Sequence, residues 1–183
     1  MNKKIYQNIK TAMFGNVEDI WVKPLSNYIN EHRCLEIMSG RGWLCKSLRD
    51  HGIDIIGTDN YSWFNTPSGL KIWDEPVCAI ENIDAISAVK KYGNSISYLI
   101  ISWPPIDNIA YRAIKELNYI NKNCLIIYIG EDYGGCTADN QFFENSLYIE
   151  DQQFVKISRY YKPHNGQKDT LNLLKFKNGK EKI

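Results

Sequence analysis

Short apolar segments alternate with segments of helical periodicity along most of the chain. From Arg33 onward, runs rich in Ile, Leu and Val are separated by stretches whose apolar residues recur every three or four positions. Continuous apolar strands that alternate with helices are typical of a parallel sheet covered on both faces. We therefore predict βα units with strands in RCLEIMS, IDIIGTD, PVCAIEN, SISYLIISW and NCLIIYIGE.

The C-terminal part departs from this alternation. FFENSLYI is predicted to be a short helix, and QQFVKISRYYK and TLNLLKF are predicted to be strands. Only PHNGQKD separates these two strands, and a connection so short cannot hold a crossover helix, so we expect an antiparallel hairpin. The predicted fold class is α/β, a doubly wound and mostly parallel Rossmann-like sheet of seven strands with a C-terminal antiparallel hairpin.

The N-terminal segment is predicted to be helical and to pack on the core. Ile5, Ile9 and Met13 recur at intervals of four, and Pro24 occupies a favourable first position for a second helix. No repeat or linker divides the remaining chain, and 183 residues are most simply one domain. The expected division is a helical extension at 1–32 and a Rossmann-like ligand-binding domain at 33–183.

Composition and charge exclude few classes of function. Hydrophobic residues make up 44% of the chain and the net charge is +1, so no global charge favours nucleic acid or a membrane surface. The longest apolar runs are too short to cross a bilayer, and the N-terminus lacks a signal-peptide core. The five cysteines include no CxxC pair, which favours reduced thiols and a cytoplasmic protein. Three dispersed histidines favour the absence of a metal site.

A glycine turn and an aspartate mark the ends of the first two predicted strands. The turn Ser39-Gly40-Arg41-Gly42 follows the first strand, and glycines there allow a tight turn and close ligand approach. Asp59 ends the second strand, which lies beside the first in doubly wound sheets, so its carboxylate can accept both hydroxyls of a ribose. We therefore predict an adenosine-containing ligand. A dinucleotide is less favoured, because Cys45 replaces the third glycine of G-x-G-x-x-G.

The order of these motifs resembles the class I S-adenosylmethionine-dependent methyltransferases. LEIMSGRGWL, IIGTD, DAISAV and LIISWPP carry the likeness, which covers about residues 33 to 178. The resemblance implies that Glu36 lies near the methionine amino group and that Asp59 binds the ribose. Met38 departs from the family pattern by replacing a glycine. The implied cofactor-binding residues are Glu36, Ser39, Gly40, Gly42, Asp59, Asn60, Asn82, Asp84 and Ser102, with Trp63 and Phe64 either against adenine or in the core.

The end of the fourth strand, IISWPPID, is where the resemblance places the substrate. Amine-methylating members of the family carry Asn, Asp or Ser, then Pro-Pro and an aromatic residue, and the prolines rigidly present accepting groups to the amine. Trp103 occupies the first position here, and an indole donates a hydrogen bond but accepts none. Ser102 is the neighbouring residue that could accept instead. The alternative is that Pro104-Pro105 only ends the strand and begins a helix capped at Asp107.

The loop GEDYGGCTADNQFF after the fifth strand is predicted to cover the same cleft. Glu131 is the first candidate for contacting or deprotonating a substrate, and Cys136 is interpreted as an ordinary loop thiol. His164 is a candidate at the substrate mouth, whereas helix dipoles explain His32 and His51. The predicted catalytic residues are Ser102, Trp103, Pro104 and Glu131, and the predicted substrate-binding residues are Trp103, Pro105, Tyr133 and His164.

The expected function is transfer of a methyl group from S-adenosylmethionine to a small molecule, an RNA or a protein. A catalytic core of about 150 residues leaves no room for a large DNA-reading module, so sequence-specific DNA methylation is disfavoured. One alternative is a protein that binds or consumes S-adenosylmethionine without methyl transfer. A second alternative is a small dinucleotide-binding protein. The oligomeric state is left open.

Overall fold

The computed structural model describes residues 14–62, 75–164 and 166–177, which are built around one seven-stranded sheet. The strands are β1 Cys34–Ile37, β2 Ile55–Asp59, β3 Glu81–Asn82, β4 Tyr98–Ser102, β5 Leu125–Gly130, β6 Ser146–Tyr148 and β7 Thr170–Phe176. Their order across the sheet is β3-β2-β1-β4-β5-β7-β6. Strands β1 to β5 are parallel, and β7 is antiparallel to both β5 and β6. The predicted fold class is confirmed.

Helices cover both faces of this sheet. They are α1 Asp19–Ile29, α2 Trp43–Asp50, α3 Ala85–Tyr92, α4 Ile109–Ile120, α5 Asn140–Glu144 and α6 Gln152–Ser158. Helices α1, α2 and α6 share one core cluster, and α3, α4 and α5 share the other. The central strands β1 and β4 are buried along their whole length, because a parallel sheet between two helical layers exposes neither face.

The prediction that QQFVKISRYYK forms a strand is wrong, although the last two strands of the chain do pair in an antiparallel manner. Residues 152–158 form α6, and the partner of β7 is β6, which lies inside a segment predicted to be helical. The Asp151 side chain accepts a hydrogen bond from the Phe154 N–H at 2.8 Å and caps α6. Phe154, Ile157 and Tyr161 are buried at helical spacing, which decides for a helix over a strand.

Two further boundaries differ from the prediction. Helix α1 begins at Asp19, so Pro24 lies inside it rather than at its first position. The buried stripe of Trp21, Leu25 and Ile29 holds the helix to the core despite the backbone hydrogen bond that a proline removes. The third strand is only two residues long. The predicted helical positions Ile5 to Met13 lie outside the described residues.

The topology gathers the carboxyl ends of the parallel strands at one edge of the sheet. Gly130 at the end of β5 pairs with Thr170 at the start of the antiparallel β7. The residues just before β7 therefore lie at the same edge as the ends of β1, β2 and β4, which is where open α/β sheets bind their ligands. Within the described ranges, no helix is long and apolar enough to cross a membrane.

Leu25→Ala is expected to lower the free energy of unfolding by about 2–5 kcal/mol, because Leu25 is fully buried on α1 and truncation leaves a cavity. Urea unfolding measures the change. Ile20→Ala is the matched control, since Ile20 is 59% exposed on the same helix and its loss should cost under about 0.5 kcal/mol. Equal effects of the two substitutions would show that α1 is not part of the cooperative core.

Candidate functional site

The glycine turn after β1 is left-handed at three positions. Met38, Gly40 and Gly42 have φ values of +55°, +56° and +81°. No atom lies within 4 Å of the place that a Cβ on Gly40 would occupy, so its backbone faces open space. A Cβ on Gly42 would lie 2.6 Å from the Ile80 side chain, so that glycine is required by packing as well as by φ. The turn therefore presents bare backbone to a neighbouring cavity.

Asp59 joins this turn to the end of β2. Its carboxylate accepts hydrogen bonds from the backbone N–H groups of Gly40 and Tyr61, each at 2.7 Å. Only 5% of Asp59 is exposed, and its exposed part lines the cleft described below. The predicted meeting of the glycine turn with the aspartate is present in the structure, although a role in ribose binding stays a prediction.

Glu36 places a carboxyl group in the interior at the centre of the sheet. It is 1% exposed, and its Oε1 accepts a hydrogen bond from the Ser102 hydroxyl at 2.7 Å. Burial raises the pKa of Glu36 to about 7, against the opposing effect of the Ser102 hydrogen bond. Its other oxygen, Oε2, is buried and has no hydrogen-bond partner among the described residues. A buried oxygen without a partner is costly, so a donor brought by a ligand would be favourable here.

A cleft of about 540 Å³ opens at this edge of the sheet. This volume is within the range of small-molecule sites. Its described lining residues come from the segment before α1, the turn after β1, the ends of β2 and β4, the starts of α3 and α4, the loop after β5 and the residues before β7. They are Phe14, Met38, Gly40, Asp59, Asn60, Ser62, Asp84, Ala85, Trp103, Pro104, Pro105, Asp107, Ile109, Cys136, Thr137, Gln167 and Asp169.

A smaller cavity of about 30 Å³ adjoins the cleft beside Glu36. It has room for about one water molecule. Phe14, Met38, Gly40 and Trp103 line both cavities, so they form the partition between them. The cavity lined by Glu36 and the larger cleft are therefore neighbours separated by these shared side chains and backbone.

Trp103 lies between the two cavities and contacts two distant segments of the chain. Its φ of +47° is unusual for a bulky residue, and its indole N–H donates to Asp169 Oδ2 at 3.1 Å. A Cβ on Gly15 would lie 1.9 Å from the indole, so only glycine can approach it this closely. The backbone of Gly15 thus packs directly against Trp103. Pro104 and Pro105 continue the wall of the cleft, and their contact with a substrate stays a prediction.

The N-terminal segment that covers Trp103 was not foreseen as part of the site. The Phe14 carbonyl accepts a hydrogen bond from the Gln167 side chain at 3.0 Å, and the Asn16 side chain donates to the Lys162 carbonyl at 3.2 Å. These contacts hold residues 14–16 against the loop before β7. A single unremarkable glycine at position 15 is too weak a signal to reveal this packing from sequence.

The cofactor candidates near β3 occupy two different settings. The Asp84 carboxylate caps α3 by accepting from the Ile86 and Ser87 N–H groups at 3.0 Å, and the Ser87 hydrogen bonds lower its pKa. Asp84 and Asn60 line the cleft, whereas Asn82 is exposed at the end of β3 and lies outside the lining. Ser39 lines the small cavity instead. Trp63 and Phe64 lie outside the described residues.

The Glu131 carboxylate binds backbone N–H groups of its own loop and of the segment before β7. Its carboxylate accepts from the backbone N–H groups of Cys136 at 2.9 Å and Lys168 at 3.3 Å, chiefly the first of which lowers its pKa. This arrangement suits a loop anchor better than a base, which must be able to hold a proton. The Cys136 thiol lines the cleft, and its pKa is raised by partial burial and by Glu131, so it favours the neutral, unreactive form.

Tyr133 and His164 do not line the cleft. Tyr133 is 59% exposed, and its hydroxyl donates to Glu144 at 3.4 Å. His164 is half-buried in the loop before β7, and its Nε2 has no hydrogen-bond partner within the described ranges. Their assignment to the substrate stays a prediction. All five cysteines are free thiols, and no group of three or more His, Cys, Asp or Glu in the described ranges could hold a metal ion.

Asp169 is the acidic residue that sequence reasoning missed. It is 6% exposed, lines the cleft, and accepts hydrogen bonds from the Trp103 indole and, at 3.4 Å, from the Tyr161 hydroxyl. Burial raises its pKa, and the nearby Glu131 charge adds to that effect. The available signal was its place directly before the last strand, which becomes informative only once that strand is known to be antiparallel.

Comparison with known proteins gives matches of fold alone. No protein-family model and no curated protein matches the chain. A Haemophilus influenzae protein described as a methylase is 17% identical, with a TM-score of 0.49 over 84% of this chain and 92% of that chain. A TehB-like S-adenosylmethionine-dependent methyltransferase from Corynebacterium glutamicum is 12% identical, with a TM-score of 0.48 over 95% of each chain.

A third similar structure is of another kind. A protein of the NADB-Rossmann superfamily from Streptococcus agalactiae is 13% identical, with a TM-score of 0.49 over 91% of this chain and 71% of that chain. The similar structures therefore include methyltransferases dependent on S-adenosylmethionine, the class that the sequence resembles, and a protein named only by its superfamily. The function has to follow from the site itself.

Glu36→Gln is expected to remove a pH dependence of stability. The folded-state pKa of about 7 exceeds the ordinary value of 4.5, so between these values the folded state retains a proton that the unfolded state has lost. The wild-type free energy of unfolding should therefore fall relative to Glu36→Gln as pH rises through this window. The slope reaches at most about 1.4 kcal/mol per pH unit. Urea unfolding of both proteins at several pH values measures it, and a constant difference would contradict the burial argument.

Proposed function

We propose that the protein is a methyltransferase that binds S-adenosylmethionine in the cleft at the carboxyl edge of its sheet. The observation that carries the proposal is the Glu36 carboxyl group, buried beside the glycine turn with one oxygen unsatisfied among the described residues. An ammonium group is the donor that best suits such an oxygen, because it supplies both hydrogen bonds and charge. The methionine part of the cofactor carries an ammonium group.

The residues around Glu36 fit the remaining parts of the cofactor. Gly40 has open space above its backbone, so a ligand can approach the turn closely. The Asp59 carboxylate at the end of β2 suits ribose hydroxyls, and Asp84 and Asn60 lie farther along the cleft, where the adenine would be. The small cavity beside Glu36 must widen to admit the methionine part, and the Phe14–Gly15 segment and Trp103 are the groups whose displacement would widen it.

The chemistry required of the protein is mainly orientation. Bound S-adenosylmethionine would supply a methyl group on a positively charged sulfur. The rigid Pro104-Pro105 wall and Trp103 would hold the acceptor in line with that methyl group, and holding two reactants in line accounts for a large part of a rate enhancement. The proposal includes the N-terminal helical extension at 1–32 and the binding domain at 33–183, and the five free thiols favour a cytoplasmic location.

A second candidate function is binding or consumption of S-adenosylmethionine without methyl transfer. It is favoured by Trp103, because the indole N–H is already donated to Asp169 and the ring offers no accepting group. The two functions are distinguished by whether S-adenosylhomocysteine forms only when a methyl acceptor is added. Formation of S-adenosylhomocysteine that depends on an added acceptor supports methyl transfer, whereas tight binding with no such dependence supports the second function.

Asp59→Ala is expected to weaken binding of S-adenosylhomocysteine by at least about tenfold, or about 1.4 kcal/mol, through loss of the ribose contact and of the bond to Gly40. Isothermal titration calorimetry measures this change. Asp54→Ala is the matched control, because Asp54 pairs with Arg33 at the opposite edge of the sheet and should leave affinity within about twofold. Correctly folded wild-type protein that binds neither S-adenosylmethionine nor S-adenosylhomocysteine would refute the proposed function.

A further inference from the structure

The described walls of the cleft carry negative charge without any positive side chain. Four aspartates line it, namely Asp59, Asp84, Asp107 and Asp169, and no lysine, arginine or histidine is among the described lining residues. Charges of one sign along a low-dielectric cavity focus the electric field. The cleft should therefore attract cations and repel polyanions such as a nucleic-acid backbone.

These aspartates fall into two groups along the cleft. Asp59 ends β2 and Asp84 follows β3, so both lie where the proposed cofactor would place its adenosine. Asp107 follows β4 and Asp169 precedes β7, so these two lie toward the other end, where Trp103 stands. When the cofactor is bound to Asp59 and Asp84, the carboxylates of Asp107 and Asp169 still give the acceptor end of the cleft a negative charge.

Asp169 is the more buried of the two remaining carboxyl groups. It receives hydrogen bonds from the neutral Trp103 indole and Tyr161 hydroxyl, but it forms no ion pair with a lysine or arginine of the described residues. Burial and the Glu131 charge raise the pKa of Asp169 more than the nearby His164 lowers it, so a cationic group of a ligand would stabilise the carboxylate. Glu36 lines the adjoining cavity, and its Oε2 has no hydrogen-bond partner among the described residues, which is a separate sign that this edge of the sheet suits a ligand with donor groups.

We propose that the methyl acceptor is a small molecule bearing an amino group, and that Asp169 and Trp103 bind that amino group. This inference rests on the proposed methyl transfer. Asp169 supplies the hydrogen-bond acceptor that Trp103 cannot provide at the end of β4. The indole also attracts a positive charge through its ring, which an amine carries before or after methylation. Nucleic acids are disfavoured because the cleft would repel their phosphates.

The expected methyl transfer to the amine needs no additional base among the described site residues. The neutral amine donates an N–H to the Asp169 carboxylate, which directs the nitrogen lone pair toward the methyl carbon. The N–C bond forms as the C–S bond breaks, sulfur keeps the electron pair, and the positive charge passes to nitrogen. The carboxylate stabilises this charge as it develops, and the methylated nitrogen then releases a proton to water.

The test compares two probes that differ only in the amino group. Full-length protein saturated with S-adenosylhomocysteine is titrated with phenethylamine and with phenylethyl alcohol, and weak binding is measured by ligand-observed NMR. The wild type is expected to bind the amine at least about tenfold more tightly than the alcohol. Asp169→Asn should reduce this preference to within about threefold, and Asp54→Asn at the opposite edge should retain it.

Several outcomes would overturn the inference. These are equal binding of the two probes to the wild type, no binding of the amine, an unchanged preference in Asp169→Asn, or tighter binding of transfer RNA than of the amine. Binding of S-adenosylhomocysteine is measured first and also reports whether each variant is folded. If the wild type does not bind S-adenosylhomocysteine, the result counts against the proposed function. If it binds S-adenosylhomocysteine but does not prefer the amine, the result counts only against an amine as the methyl acceptor.

Discussion

The burial of a carboxyl group in the central strand constrains the whole site. Glu36 lies on β1 between β2 and β4, where its neighbours are apolar strands, and the Ser102 hydroxyl donates the hydrogen bond to its Oε1, while Oε2 has no hydrogen-bond partner among the described residues. The cost of that burial is the reason for its raised pKa. A residue chosen for stability at this position would be apolar. On the proposed function, a ligand that carries a complementary group accounts for Glu36 at this position.

The second constraint is the position of Trp103 directly after β4. The indole fills the partition between the two cavities, and its N–H is oriented by Asp169 across the sheet edge. On the proposed function, the hydrogen-bond acceptor for the substrate is Asp169, directly before β7, and not a residue at the end of β4. Gly15 completes the arrangement, since any side chain there would collide with the indole. Trp103 thus joins three segments that are distant in sequence, namely its own, that of Gly15 and that of Asp169.

Local patterns predicted the parts of this molecule that depend on neighbours in sequence or on fold-level geometry. The parallel sheet and the meeting of Gly40 with Asp59 followed from strand ends that lie side by side in doubly wound sheets. The C-terminal error has a physical cause, because the short connection favours a hairpin, whereas the spacing of Phe154, Ile157 and Tyr161 lets all three be buried on one side of a helix. Asp169 and Gly15 could not be found, since their contacts with Trp103 span long separations and leave no local pattern.

On the proposed function, cofactor binding and acceptor recognition are coupled through Trp103. The cavity beside Glu36 is too small for an amino-acid group, and Trp103 and Phe14 form part of its boundary with the cleft. A shift of the indole that both widened this cavity and lengthened the hydrogen bond to Asp169 would free that carboxylate for another donor. The same movement that admits the methionine part would therefore prepare the acceptor site, which favours binding of the cofactor before the acceptor.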